Sequence, residues 1–179
     1  MAESDFTRFA ARDGLSIPVL VTKPKGKGPW PTVVLVHGGP YVRGVQWGWQ
    51  PDSQFLASRG YLVVEPEFRG SEGYGYKHFR AGWKQWGLSM QDDVTDATKW
   101  AIRQGWADPK RIAIAGASYG GYATLAGLTF TPELFACGVD IVGPSNLITL
   151  LETIPAYWTS RRTRPSVRMS AACSVWTTT

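Results

Sequence analysis

Runs of consecutive apolar, largely β-branched residues punctuate this chain: "TVVLVHGG" at 32–39, the start of "YLVVEPEFRG" at 61–70, and "RIAIA" at 111–115. A strand with one wet face alternates apolar and polar residues. Unbroken runs require apolar cover on both faces, as in a parallel sheet sandwiched by helices. Helical stretches fall between them. "DSQFLASRG" (52–60) reads as a short helix with Asp52 able to cap its start and Gly60 its end. A second helix is expected over 77–86. The clearest is "QDDVTDATKWAIRQG" (91–105), where Val94, Ala97, Trp100 and Ala101 share a face, Asp92 and Asp93 suit the positive end, and Gly105 closes the helix. Helix 119–129 and strand 136–142 follow. Ahead of these units, 5–12 and 15–23 read as two strands around the turn "RDG". The expected class is α/β: a mostly parallel sheet with helices on both faces.

At 179 residues, with 44% hydrophobic and 13% aromatic content, the chain suits one packed domain. The net charge of +5 invites a nucleic-acid reading, but its location argues against one. Arg161, Arg162, Arg164 and Arg168 supply four of the five charges from an acid-free stretch, leaving the body at +1. No membrane span or secretory leader is legible, and Cys137 and Cys173 form neither a disulfide framework nor a metal motif. A cytoplasmic setting, without metal or cofactor, is the expectation. Residues 1–158 form the expected domain. Residues 159–179 lack periodicity and read as a disordered tail or as a departure of the coding frame from the natural protein.

The chemical signal is "GASYG" (116–120), a Gly-x-Ser-x-Gly turn between an apolar strand and an Ala-rich helix. Such a turn holds its serine in a strained conformation above the sheet, with glycines on either side permitting close strand–helix approach. The helix N-terminus behind Ser118 directs amides and positive dipole at the reacting oxygen, making the Tyr119 N–H one oxyanion donor. Five residues alone also fit a plain tight turn with a solvated serine; the strand before and helix after favour the nucleophile. "HGGPY" (37–41) ends an earlier strand, where a second donor is needed, and Gly39 is the candidate. His37 is read as ordering this loop rather than as the base. Tyr41 either lines the substrate site or packs.

"VLVHGGP", "LASRGYLVVEPEFRGSEGYG", "DDVTDATKWAIRQGWADPKRIAIAGASYGGYATL" and "DIVGPSN" together resemble the catalytic domain of the prolyl oligopeptidase family, in its acylaminoacyl-peptidase and dipeptidyl-aminopeptidase-like branch. The resemblance covers about residues 5 to 158. It implies an α/β-hydrolase fold and hydrolysis of short peptides or acyl-peptides through an acyl-enzyme on Ser118, with Tyr119 and Gly39 matching the oxyanion amides. Arg69 and Glu72 fall in a loop near the site, where a structural role is expected. An ester hydrolase of the same fold, and a non-catalytic module that has lost its triad, are the alternatives.

A serine hydroxyl needs a base. In this architecture the triad acid and then the histidine follow the serine. At about 30 residues per β-α-β unit, the acid is due roughly 60–80 residues beyond Ser118 and the histidine about 30 further on. Only 61 residues remain, without a histidine, and their acids are Glu133, Asp140 and Glu152. Asp140 lies within a strand, and His78 on a helix that reads as surface, in a solvated or packing role. The chain therefore reads as a C-terminally truncated peptidase domain, lacking its last strands and the family's β-propeller, and inactive or nearly so. The edge where further strands would pair is expected to expose amides and apolar side chains. Oligomeric state is not legible.

Overall fold

Every apolar run becomes a strand of one six-stranded sheet in the computed structural model, which describes residues 1–46 and 48–154. The expectations for 155–158 and for the tail 159–179 lie outside the described residues. The strands are β1 (Glu3–Ala10), β2 (Ser16–Lys23), β3 (Trp30–Val36), β4 (Leu62–Pro66), β5 (Ala107–Ala117) and β6 (Cys137–Ile141), in the order β1-β2-β4-β3-β5-β6. β1, β2 and β4 pair antiparallel, whereas β4, β3, β5 and β6 run parallel. Gly14 (φ +83°) supplies the left-handed residue of the β1–β2 turn.

Strand periodicity divides the sheet into two buried faces. Val34 and Val36, Leu62 and Val64, and Ile112 and Ile114 pack with Met90, Val94, Ala97 and Ala101 of α3 (Ser89–Arg103) and with Tyr119, Tyr122 and Ala123 of α4 (Tyr119–Phe130). Each such fully buried aliphatic side chain contributes about 1.5–3 kcal/mol over its exposed state. The opposite parity, Val33 and Val63, faces α1 (Pro51–Ser58), whose Ser53 hydroxyl donates to Glu65 at 2.7 Å. α2 (Tyr76–Ala81) and α5 (Leu147–Thr153) complete the described helices. At the sheet edge, Val139 and Ile141 of β6 are each 54% exposed, and β6 pairs only with β5 among the described residues.

Four local expectations are corrected. Gln50, not Asp52, occupies the N-cap of α1, because Pro51 enters the first turn and leaves Asp52 inside the helix. Helix 77–86 shortens to α2: the backbone at Gly82 passes so close to Gly70 and the Arg69 carbonyl that a Cβ there would collide. Asp93 faces inward to Arg69 rather than serving the helix dipole. His78, expected on a surface helix, is buried, and its Nε2 lies 3.0 Å from the Phe68 carbonyl.

Candidate active site

β5 ends at Ala117 and α4 begins at Tyr119, so the chain reverses through the single residue Ser118, with φ 57° and ψ −118°. Left-handed backbone at a non-glycine residue costs about 1–3 kcal/mol and persists only where its surroundings impose it. Here the Ser118 amide donates to the Ile141 carbonyl (2.9 Å), and its carbonyl accepts from the Tyr122 amide (3.0 Å). A Cβ on Gly116 or Gly120 would strike the Val36 carbonyl, so both glycines are needed where β3, β5 and α4 converge. Ser118 is exposed, and its hydroxyl bonds to no side chain among the described residues.

The loop after β3 closes over this turn. A Cβ on Gly38 would stand 3.0 Å from the Ala117 carbonyl oxygen and 3.4 Å from Ser118 Cβ. The next residue, Gly39, is exposed and has φ +117°, which few side chains tolerate. His37 opens the loop, and its Nδ1–H donates to the Gly38 carbonyl (2.7 Å). A carbonyl partner makes Nδ1 the protonated nitrogen, and Nε2 lies 3.0 Å from the Ser71 hydroxyl, which donates to the Phe68 carbonyl at 2.8 Å. Burial lowers the imidazole pKa to about 4, against the opposing pull of the Gly38 bond, so the ring is neutral. Tyr41 packs: its hydroxyl donates to the Gly82 carbonyl (3.2 Å), its ring meets Phe79 edge-on, and burial pushes its pKa up to about 12.

The segment after β4 joins the two halves of the site. Phe68 stacks on His37 (centroids 4.3 Å apart) and meets Tyr119 at a tilt (5.2 Å). Trp86 meets Tyr119 edge-on at 4.6 Å. Arg69 is held by Asp93 through Nε and Nη2, both 2.8 Å, and by Asp13 through Nη1 at 2.8 Å. Burial opposes the guanidinium charge, but the bonds to Asp93 and Asp13 outweigh it and raise the Arg69 pKa. The role of Arg69 is structural. Glu72 is exposed, and its amide donates to the Val42 carbonyl (3.1 Å), tying this segment to the loop.

No described group takes the Ser118 proton. Both nitrogens of His37 are occupied, Nδ1 by the Gly38 carbonyl of its own loop and Nε2 by the Ser71 hydroxyl of the segment after β4. His78 is bonded to Phe68, with burial lowering its pKa. Asp140 accepts from the Gly143 amide (2.8 Å) and holds the turn after β6. Among the described residues no cluster of His, Cys, Asp or Glu is placed to hold a metal, and no helix is long and apolar enough to cross a membrane.

The model of the prolyl oligopeptidase family matches residues 47–168, more than half of the chain. The chain belongs to that family. It is 50% identical over 161 residues to dipeptidyl aminopeptidase BIII of Pseudoxanthomonas mexicana, covering 85% of this chain and 23% of the relative. Among solved structures it superposes on a puromycin-hydrolyzing peptidase of Mycobacterium tuberculosis with a TM-score of 0.82 at 30% identity, covering 89% of this chain and 25% of the other. Against the acylaminoacyl peptidase of Pyrococcus horikoshii the TM-score is 0.79 at 29% identity, over 92% and 28%. The chain thus spans about a quarter of the length of these relatives. The family comprises serine peptidases acting on peptide substrates, and the architecture is a partial α/β-hydrolase domain.

Sequence reasoning overlooked Glu67, Phe68 and Ser71, and assigned Asp93 to the helix dipole rather than to Arg69. A signal existed for Glu67, because an acid between "LVVEP" and an aromatic, directly after a run that reads as buried on both faces, has little access to water.

Proposed function

We propose that this chain carries the nucleophile and the oxyanion donors of a serine peptidase acting on short peptides or acyl-peptides. Ser118 attacks the carbonyl carbon as a general base takes its hydroxyl proton, the tetrahedral intermediate collapses with cleavage of the C–N bond, the same proton passes to the leaving amine, and an acyl-enzyme on Ser118 results. The Tyr119 N–H, first in α4, and the Gly39 N–H stabilise the oxyanion. The observation carrying this reading is the left-handed Ser118, exposed at the head of α4 with Gly38 packed against it. A histidine base and its carboxylate are required, and this sequence contains no histidine after Ser118. The 179-residue chain by itself is therefore inactive or nearly so. A missing triad costs on the order of a million-fold in comparable enzymes, while the remaining donors retain a residue of catalysis.

The test compares aminoacyl p-nitroanilides with short p-nitrophenyl esters on the wild-type chain and on Ser118→Ala. Expected is stoichiometric ester acylation that vanishes in the variant, without sustained anilide turnover. Ester cleavage undiminished in Ser118→Ala refutes the nucleophile, and sustained anilide turnover refutes the inactivity.

A further inference from the structure

The peptidase reading leaves unused a buried acid directly behind the oxyanion loop. Glu67 follows β4, and its side chain is fully buried. Its carboxylate accepts the Gly44 amide (3.3 Å) and the Val45 amide, at the far end of the loop that begins at His37. We propose that the ionised Glu67 carboxylate is the clamp that positions residues 37–45, and through them Gly38 and Gly39, against Ser118.

The loop geometry transmits such a hold. Gly44 lies so tightly on the His37 ring that a Cβ would overlap it, so fixing Gly44 fixes His37. His37 in turn is bonded to the Gly38 carbonyl and stacked on Phe68, which also contacts Tyr119. Arg43 completes the clamp: its Nε donates to the Val45 carbonyl (3.1 Å), so opposite charges grip neighbouring atoms of the same loop residue.

The charged and titratable groups around Glu67 decide its state. His37 Nε2 stands 3.9 Å away but is neutral, Glu65 repels from β4, Tyr74 stays protonated, and Arg43 alone attracts. Burial outweighs the two amide bonds, the arginine and the Ser71 hydroxyl, pushing the Glu67 carboxyl up to about 7. Once protonated, one carboxyl oxygen becomes a donor facing the loop amides, and the grip on 44–45 loosens. The oxyanion loop is accordingly ordered on the alkaline side of neutrality and loosened on the acid side.

This inference rests on the serine-peptidase reading, yet its readout needs no turnover. Amide hydrogen exchange of Gly44 and Val45 is followed across neutral pH in the 179-residue chain, corrected for intrinsic exchange. The clamp predicts about tenfold greater protection on the alkaline side, the gain from a charged over a neutral acceptor. Glu67→Gln should lack this step, and Glu65→Gln should retain it. Global stability cannot imitate the step, because ionising a buried acid lowers stability as pH rises and so moves protection the other way. Flat protection in the wild type, or a step that survives Glu67→Gln, overturns the proposal. If that variant fails to fold, the wild-type profile together with Glu65→Gln still decides. A step without reactivity at Ser118 overturns the peptidase reading alone; a reactive Ser118 with flat protection overturns the clamp alone.

Discussion

Removing the Asp93 carboxylate should be far more costly than removing the Asp13 carboxylate, although both bind the same guanidinium. Asp93 has a fully buried side chain and accepts three bonds from Arg69, from its amide, Nε and Nη2, each 2.8 Å. Asp93→Ala leaves a guanidinium whose side chain is only 7% exposed with a single partner at the rim, and it orphans a buried amide. Breaking a buried, hydrogen-bonded pair in this way costs about 3–5 kcal/mol. Asp13 is 49% exposed, so water replaces much of what it gives, and its loss costs under about 1 kcal/mol. The assay is urea denaturation followed by tryptophan fluorescence, for which the chain offers nine tryptophans. At roughly 2–4 °C per kcal/mol for a chain of this size, thermal melts should separate the two variants by about 10 °C. Equal losses for the two variants would mean that Arg69 is not anchored to α3. The account of how the segment after β4 is held beside the site would then be wrong.

Two further outcomes are expected. Burial pushes Glu65 and Glu67 up to about 7, so the folded chain binds protons that the unfolded chain has released, and stability is lost as pH rises through that value. His37 and His78, with lowered pKa values, act oppositely, but their gain is complete near the ordinary histidine value of 6.5. Glu65→Gln keeps an acceptor for Ser53 and removes one titration. It should roughly halve the loss of urea midpoint between about pH 6.5 and 8, and an unchanged slope would contradict the assignment. Ser118→Gly relieves the left-handed backbone and should stabilise the chain by about 1 kcal/mol relative to Ser118→Ala, as read by urea midpoints. A glycine variant no more stable than alanine would show that the turn stores no strain.

The strands and the principal helices were legible because apolar periodicity and glycine placement dictate them locally. "TVVLV" and "RIAIA" have no alternative burial, and Gly116 and Gly120 bracket a turn that larger residues would block. Ser118 was legible as a candidate for the same reason. The internal ties of the site were not. That Asp93 serves Arg69, 24 residues earlier, depends on how α3 docks on β4, which no local pattern encodes. His78 failed on the same ground: its helix is amphipathic only in the context of the Phe68 carbonyl it reaches. Glu67 was overlooked because its partners are main-chain amides, which carry no signature in side-chain identity.

The most direct measurement is covalent labelling of the chain with a serine-directed organophosphorus reagent, followed by peptide mapping. The left-handed turn, the α4 amides and the exposed hydroxyl together predict slow phosphorylation confined to Ser118 and abolished in Ser118→Ala. Label spread over several serines, or label that persists in that variant, would contradict the claim that this fold displays Ser118 as a nucleophile.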